Sequence, residues 1–424
     1  MLSAAMASSS HVDHRLFQGE WIYLPGRRVT YKHGQRGCVI DPRQRCTEED
    51  GIDGNRSIVP PGMHEYWHWQ PEGRDALSMM TRRADSLATL SRHRRVLFVG
   101  DSQTRNMYES MRCLLGTSNL QGNAKNVAYY SHPSLVDYET TSKHASGQLT
   151  KTPKLVSLRN TSWLKGFLRR VVCGTAAQVE QGKPSKWPVL VLATGHWYTK
   201  YTKEGGTFEG ADASAASSRP CAAWPTEGGA TPVSCNTVAI QYLERALHTV
   251  RETLETASCN VSVIYRTYSP RHFNGGGWNS GGTCERGGNV TQLAVKWRAD
   301  EHALAARHAA IQAFHGTSLP SFALLDITRL SLPRAEAHPS DYRLKNGERS
   351  NASKMMMDCS HWCLPGVPDT WNGLLTEMLH TKFGYLPSTP PSWLLSTAED
   401  AGDELRRCAL DPLKANVVNI VTKL

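Results

Sequence analysis

Short runs of apolar residues alternate along this chain with longer segments in which apolar residues recur every three or four positions. The short runs are Val96–Val99, Val189–Leu192, Val261–Arg266 and Phe322–Ile327. Helical spacing is found in Met107–Leu115, Leu243–Leu254, Leu293–Phe314 and Trp371–Leu379. Short continuous apolar runs are typical of strands that are buried on both faces of a parallel sheet. The alternation therefore predicts an α/β fold with helices flanking a parallel sheet.

The first predicted strand leads into a turn that carries a hydroxyl group. Gly100 follows the strand, and the chain is predicted to pass into a helix at Asp101–Ser102. A serine at the carboxyl end of a strand and the amino end of a helix faces solvent, and the helix dipole there favours developing negative charge. Ser102 is therefore a candidate nucleophile, with an ordinary turn or helix cap as the alternative.

A second candidate group lies near the other end of the chain. Asp358 precedes His361 by three residues, so its carboxylate can accept a hydrogen bond from one ring nitrogen. The other nitrogen would then be free to take a proton from Ser102. Because triads are defined by geometry, the order of the three residues along the chain is suggestive only.

A zinc site is the alternative interpretation of the same segment, because Cys359 and Cys363 flank His361. This spacing is not a usual zinc-ligand spacing, and no second pair of closely spaced cysteines completes four ligands. We therefore expect no metal.

Five segments follow one another in the order that is typical of one protein family. They are Gly100–Ser102 with Arg105–Asn106, Thr194–Trp197, Arg266–Pro270, Gly281–Cys284 and Asp358–Asn372. Together they resemble the trichome birefringence-like proteins, plant and algal polysaccharide O-acetyltransferases with a PC-esterase domain. The likeness extends from about Leu16 to Leu386. It implies an SGNH/GDSL-hydrolase-like α/β fold, a triad of Ser102, His361 and Asp358, and acetyl transfer to a cell-wall polysaccharide in the Golgi lumen.

Three further residues are predicted to serve the site. Gly195 follows the second strand and lets the backbone approach a reacting carbonyl, so its N–H and that of Ser102 are predicted to bind the oxyanion. Arg105, one helical turn after Ser102, either supports the oxyanion or solvates the start of the helix. His196 is either a substrate contact or a structural histidine.

Composition and resemblance together divide the chain into regions. Residues 1–11 are predicted to be a disordered start, and 12–90 a small irregular N-terminal subdomain that contains disulfides and wraps the core. Residues 91–386 form the predicted PC-esterase catalytic domain, in which 203–235 is a surface insertion rich in Gly, Ala, Ser and Pro. Residues 387–424 are a tail with no assigned role.

Two stretches outside the triad are candidates for binding the acceptor. The Gly-rich loop Ser269–Cys284 is predicted to lie at the carboxyl end of a strand, where α/β sheets bind ligands. The aromatic segment Tyr66–Pro71 either lines a sugar-binding cleft or packs the N-terminal subdomain against the core, and packing is the favoured interpretation.

The cysteines favour a secretory compartment. The chain has 11 cysteines and five Asn-x-Ser/Thr sequons, a combination that indicates disulfides and glycans. Compared with the family, His14 and Arg74 replace two cysteines, so one family disulfide is inferred to be lost. The expected bridges are Cys38 to Cys113, Cys359 or Cys363 to Cys284 or another partner, and Cys221 to Cys235.

Charge and hydropathy restrict the partners. The net charge of +10 would attract acidic polymers, but the basic residues are scattered, so we expect no nucleic-acid partner. No run of 18 apolar residues is present, and Met1–Ser10 does not resemble a signal peptide. Family members usually carry an N-terminal membrane anchor. Membrane attachment is therefore expected only if such an anchor is missing from this sequence, and a missing first exon is our interpretation.

Three function classes remain open at this point. The resemblance favours an O-acetyltransferase that works through an acetyl-serine, with an acetyl donor as co-substrate, a polysaccharide acceptor and no cofactor. The alternative is a carbohydrate acetyl esterase of the SGNH type, in which water replaces the sugar. The third class is a polysaccharide-binding protein without turnover.

Overall fold

The computed structural model describes slightly less than half of the chain. The described residues are 14–23, 38, 40–41, 44, 46, 67–73, 95–115, 127–132, 135, 138–141, 152–155, 162–174, 187–194, 220–221, 233–234, 238–273, 284, 301–319, 321–339 and 358–381.

These residues form eleven strands and six α-helices. The strands are β1 (Gly19–Tyr23), β2 (Trp67–Pro71), β3 (Val96–Gly100), β4 (Val127–Ser131), β5 (Tyr138–Thr141), β6 (Thr152–Leu155), β7 (Val189–Ala193), β8 (Pro220–Cys221), β9 (Val233–Ser234), β10 (Ser262–Arg266) and β11 (Ser321–Leu325). The α-helices are α1 (Ser102–Leu115), α2 (Ser162–Phe167), α3 (Val238–Thr256), α4 (Glu301–Phe314), α5 (Thr328–Ser331) and α6 (Val367–Thr381). Short 3-10 turns lie at His14–Phe17 and Ala335–Ala337, and α2 continues into a π-helical segment, Leu168–Cys173.

A five-stranded parallel sheet forms the centre of the fold, in the order β11-β10-β7-β3-β4. The register pairs Gly100 of β3 with Ala193 of β7, so their carboxyl ends lie side by side. Every residue of β3, β7 and β10 is buried, as the continuous apolar runs predict. The predicted α/β fold is confirmed. All four predicted strands belong to this sheet, and β4 is added at one edge.

Helices cover both faces of the sheet. Because successive side chains of a strand point to opposite faces, Leu97 and Val99 pack with α3 and α4, whereas Val96 and Phe98 pack with α1 and α6. The α1–α6 contact also includes polar groups: Asn372 donates hydrogen bonds to Met107 O (2.9 Å) and to Ser110 Oγ (2.8 Å). Among the helices described here, none is long and apolar enough to cross a bilayer.

The N-terminal segment is fastened to the core by tryptophans. Strands β1 and β2 form an antiparallel pair in which the rings of Trp21 and Trp69 meet edge to face, with their centroids 5.7 Å apart. Trp21 Nε1 donates to Leu330 O (2.7 Å), and Trp69 Nε1 donates to Leu16 O (3.1 Å). Trp69 also packs against the hydrophobic cluster that includes Val96 and Phe98 of β3, which supports the packing interpretation of the aromatic segment.

Four disulfides cross-link the described residues. They are Cys38–Cys113, Cys46–Cys363, Cys173–Cys259 and Cys284–Cys359. The expected Cys38–Cys113 bridge is confirmed. Cys359 bonds to Cys284 as expected, whereas Cys363 bonds to Cys46. The expected Cys221–Cys235 bridge lies outside what the structure describes.

The Cys46–Cys363 disulfide provides a test of how the N-terminal segment is held. Replacing both cysteines with serine is expected to lower the free energy of unfolding by about 2–5 kcal/mol, measured by urea denaturation. It should also increase hydrogen exchange at the Leu364 amide, which donates to Gln44 O (2.9 Å) beside the bridge.

The Cys173–Cys259 disulfide is the matched control, because Cys259 precedes β10 and so lies near the opposite, amino-terminal edge of the sheet. Its double serine variant is expected to lose stability without selective exchange at Leu364. Equal exchange at Leu364 in the two variants would contradict a local role for the Cys46 bridge.

Candidate active site

Ser102 is the first residue of α1, and only Asp101 separates it from the carboxyl end of β3. The turn before it requires glycine: a Cβ atom on Gly100 would lie 1.8 Å from Ala193 O and 2.4 Å from Thr104 Oγ1. The close packing of β3 against β7 therefore excludes any larger residue at this position. The sharp turn that results places Ser102 at the carboxyl edge of the sheet.

Asp101 and its neighbours fix the backbone around Ser102. The Asp101 carboxylate caps α1 by accepting the backbone N–H groups of Gln103 (3.0 Å) and Thr104 (3.2 Å). From the two adjacent strands, Ala193 O accepts the Thr104 hydroxyl (3.0 Å) and Tyr129 OH donates to Asp101 O (3.0 Å). The turn is thus held from both sides.

The structure brings Asp358 and His361 into direct contact. Their Oδ2 and Nδ1 atoms are 2.8 Å apart, and Asp358 Oδ1 also accepts the backbone N–H groups of His361 (3.0 Å) and Ser360 (3.2 Å). Since an ionised carboxylate only accepts, Nδ1 of His361 must be the protonated nitrogen. A neutral His361 then presents an unprotonated Nε2. This atom is buried and has no hydrogen-bond partner among the residues described.

Electrostatics favour an ionised Asp358. Burial raises the pKa of this carboxyl group, but the nearby His361 and the hydrogen bonds from His361 and Ser360 outweigh burial. The pKa of Asp358 therefore lies well below its usual range. The carboxylate stays ionised around neutral pH and keeps its hydrogen bond to the His361 ring.

The first turns of α1 bind the backbone on both sides of His361. Gln103 Nε2 donates to Ser360 O. The Asn106 side chain both accepts from Trp362 N (2.9 Å) and donates to Trp362 O (3.3 Å). The helix that begins at Ser102 thus holds the loop that carries His361. Sequence reasoning gave Gln103 and Asn106 no role, because neutral amides have no distinctive spacing.

Arg105 is ion-paired in the structure. Its Nη2 lies 3.3 Å from Asp41 Oδ2, and its Nε lies 3.4 Å from Glu109 Oε1. Burial raises the pKa of Glu109 to about 7, although Arg105 acts in the opposite sense. The predicted support of an oxyanion by Arg105 stays a prediction. Gly195 and His196 lie outside the described residues.

The segment beside the predicted oxyanion site is anchored from β10. Tyr265 OH donates to the carbonyl of Thr194 (3.0 Å), the residue before Gly195.

The zinc interpretation of the His361 segment loses two ligands, because Cys359 and Cys363 are both in disulfides. Within the described part of the chain, no group of three side chains could hold a metal ion.

A family model described as "PC-Esterase: GDSL/SGNH-like Acyl-Esterase family found in Pmr5 and Cas1p" matches residues 83–378, well over half of the chain. The chain belongs to the PC-esterase family. Its parallel sheet with flanking helices is the SGNH-like fold that the resemblance implies.

Individual relatives agree with this assignment. Protein trichome birefringence-like 13 of Arabidopsis thaliana is 29% identical over 393 residues, which cover 86% of this chain and 83% of the relative. Protein trichome birefringence of the same plant is 29% identical over 411 residues, which cover 90% of this chain but 59% of the relative. Xylan O-acetyltransferase 14 of Oryza sativa subsp. japonica is 28% identical over 389 residues, which cover 87% and 78%. The resemblance to trichome birefringence-like proteins is confirmed, and the family is one of acyl-transfer enzymes.

The charge of Asp358 leads to a pH-dependent prediction for this PC-esterase domain. The Asp358→Asn variant is expected to lose about 1–3 kcal/mol of stability at neutral pH, because a buried carboxylate that accepts several hydrogen bonds is replaced by a neutral amide. The pKa of Asp358 in the folded protein lies below the ordinary value of 3.8. The difference in stability between wild type and variant should therefore have its full size above about pH 4 and become smaller as the pH falls further. Urea unfolding of both proteins between pH 3 and 7 measures it. A difference that does not change with pH would contradict the assignment.

Proposed function

We propose that this protein is an O-acetyltransferase that moves an acetyl group, through an acetyl-Ser102 intermediate, to a hydroxyl group of a cell-wall polysaccharide. One observation carries the proposal: His361 is hydrogen-bonded to Asp358, and the backbone on both sides of His361 is bound to the first turns of the helix that Ser102 begins. Membership of an acyl-esterase family and similarity to a xylan O-acetyltransferase support acetyl transfer to a polysaccharide.

The first half-reaction forms the acetyl-enzyme. His361 Nε2 takes the proton of the Ser102 hydroxyl while Oγ attacks the acetyl carbonyl of the donor. The N–H groups of Ser102 and Gly195 would bind the oxyanion. The Asp101 carboxylate accepts the N–H groups of Gln103 and Thr104 and not that of Ser102. Collapse of the intermediate breaks the bond to the donor's leaving group, which receives the proton from His361.

The second half-reaction uses the same groups in reverse. A sugar hydroxyl gives its proton to His361 Nε2 and attacks the acetyl-serine carbonyl. The ester bond to Ser102 breaks, and the serine oxygen recovers a proton from His361. Asp358 stays ionised throughout and stabilises the imidazolium that forms in each half-reaction. The acetyl donor is a co-substrate, and the mechanism requires no cofactor or metal.

A carbohydrate acetyl esterase is the second candidate, favoured by the family description as acyl-esterases. If water reaches the acetyl-enzyme in place of a sugar, the same residues release acetate. The two functions therefore differ in the acceptor and not in the groups that activate it.

The disulfides support a secretory location, which we propose to be the Golgi lumen. Four bridges among the described residues require an oxidising compartment to form and persist. A cell-wall polysaccharide as the acceptor is consistent with this compartment. We propose no nucleic-acid partner.

The decisive experiment offers the purified protein an acetyl ester donor and a panel of deacetylated wall oligosaccharides. Acetylated sugar and free acetate are measured in the same tube. Ser102→Ala is expected to lower kcat at least about 10³-fold, because the nucleophile is lost. Ser318→Ala is the control: this serine is exposed near the amino end of β11, and its activity should match the wild type.

Each outcome distinguishes between the functions. Acetyl accumulating on one sugar, dependent on Ser102, supports the transferase. Acetate alone with every sugar would favour the esterase. Acetyl transfer that survives in Ser102→Ala would contradict the acetyl-serine mechanism, and the absence of any acyl chemistry would favour a binding protein.

A further inference from the structure

Two histidines outside the triad are buried against each other. His272 lies in the loop that follows β10, and His338 follows the 3-10 turn Ala335–Ala337. His272 Nδ1 and His338 Nε2 are 2.6 Å apart, and the side chains are 0% and 1% exposed. The acetyl-transfer steps above use neither ring.

The pair joins two backbone carbonyl groups. At one end, His272 Nε2 lies 2.8 Å from Leu332 O, just after α5. At the other end, His338 Nδ1 lies 2.5 Å from the carbonyl oxygen of His361. The two rings thus form a continuous chain of three contacts that ends on the backbone of the proposed catalytic base.

Counting protons shows that two neutral rings cannot satisfy this chain. A carbonyl oxygen only accepts, and a neutral imidazole carries one N–H. Two neutral rings therefore bring two protons to three contacts, and in every combination of tautomers at least one contact places two lone pairs against each other. A third proton gives each contact a donor. The complete chain therefore corresponds to one positive charge shared by His272 and His338.

Burial opposes this charge and so determines the pH range in which the third proton is bound. Burial lowers the pKa of His272 to about 4, from an ordinary value of 6.5. It also lowers the pKa of His338, where the neighbouring His272 acts in the same sense, while the His361 carbonyl and the Asp358 carboxylate act in the opposite sense. The third proton is therefore bound in acid and is released as the pH rises towards neutrality.

Other charged groups near the pair in sequence have partners of their own. Arg334 binds Glu336 (Nε to Oε1, 2.5 Å), and its guanidinium lies 4.2 Å from the centre of the Trp21 ring. The guanidinium of Arg271, which is exposed, lies 5.8 Å from the centre of the Tyr268 ring. The aromatic rings that touch the histidine pair carry no charge. Asp358 and His361 are the charged or titratable groups outside the pair that act on the pKa of His338, the first raising it and the second lowering it.

We infer that His272 and His338 are positioning residues that form a proton-operated latch on the loop of His361. With three protons the chain from Leu332 to the His361 carbonyl is complete, and with two protons one of its contacts opens. Because the closed form binds the additional proton, the latch is closed below the pKa of the pair and is lost above it. The effect of the latch on catalysis rests on the proposed role of His361. The number of protons on the histidine pair does not depend on that role.

The proton count is tested first, without any assay of activity. The wild-type protein is labelled with ¹⁵N-histidine, and the four nitrogens are assigned from the His272→Gln and His338→Gln spectra. A titration of the folded protein between pH 3 and 7 should show three protons on the four nitrogens at the acid end and two at the alkaline end. Two protons throughout, or three throughout, would overturn the latch.

The effect on the reaction is tested with two variants of His338. In His338→Gln the side-chain NH₂ group offers two donors that do not titrate, so the latch should stay closed at every pH. His338→Phe keeps an aromatic ring against Trp362, which the histidine ring contacts at 4.2 Å between centroids, but has no donor.

The quantity compared is the ratio of kcat between wild type and His338→Gln, measured at each pH. We expect this ratio to fall by up to about a hundredfold as the pH rises, with the same midpoint as the NMR titration, while KM for the donor is unchanged. His338→Phe should show the low kcat at every pH. A constant ratio alongside a changing proton count would overturn the positioning role. If the protein transfers no acyl group at all, the proposed function fails while the NMR titration still decides the latch.

Discussion

The side-chain amide of Asn106 is the contact on which the rest of the site depends. It binds the N–H and the C=O of Trp362 at once, across 256 positions of sequence. Asn106 lies one helical turn after Ser102, and Trp362 follows His361 directly, so this contact sets the spacing between the proposed nucleophile and its base. An amide suits the task, because it offers a donor and an acceptor side by side and no charge that must be solvated.

The loop around His361 is then held from several further directions. Cys359 and Cys363 are disulfide-bonded, the first to Cys284 and the second to Cys46. Helix α1 adds the bond from Gln103 to Ser360 O. With its backbone held in this way and its Nδ1 bound to Asp358, the His361 ring can act with little reorganisation, which is the condition for effective catalysis by fixed groups. The N-terminal segment is thus part of the support of the site.

The features that could be predicted from the sequence are those that depend on a local pattern of residues. The strands β3, β7 and β10 are buried along their whole length, and their mostly apolar sequences predicted them, whereas β4 lies at the edge of the sheet with Tyr130 and Ser131 exposed and was not predicted. The contact of Asp358 with His361 follows from their spacing. No pattern marks Gln103, nor the pairing of His272 with His338, because these contacts form only when distant loops meet at one edge of the sheet. The partner of Cys363 was undetermined for the same reason.

Charge at this edge of the sheet is balanced locally. Asp101 and Asp358 are both buried carboxyl groups, and each has a cationic group nearby. For Asp101 this is Arg266, whose pKa burial lowers while Asp101 raises it; its guanidinium also lies 5.2 Å from the centre of the Trp371 ring. For Asp358 it is the imidazolium that would form on His361 in the proposed mechanism. A buried carboxylate without such a counterpart would be costly. The Asp358 carboxylate also acts on His338, where it favours a bound proton against the burial that opposes one.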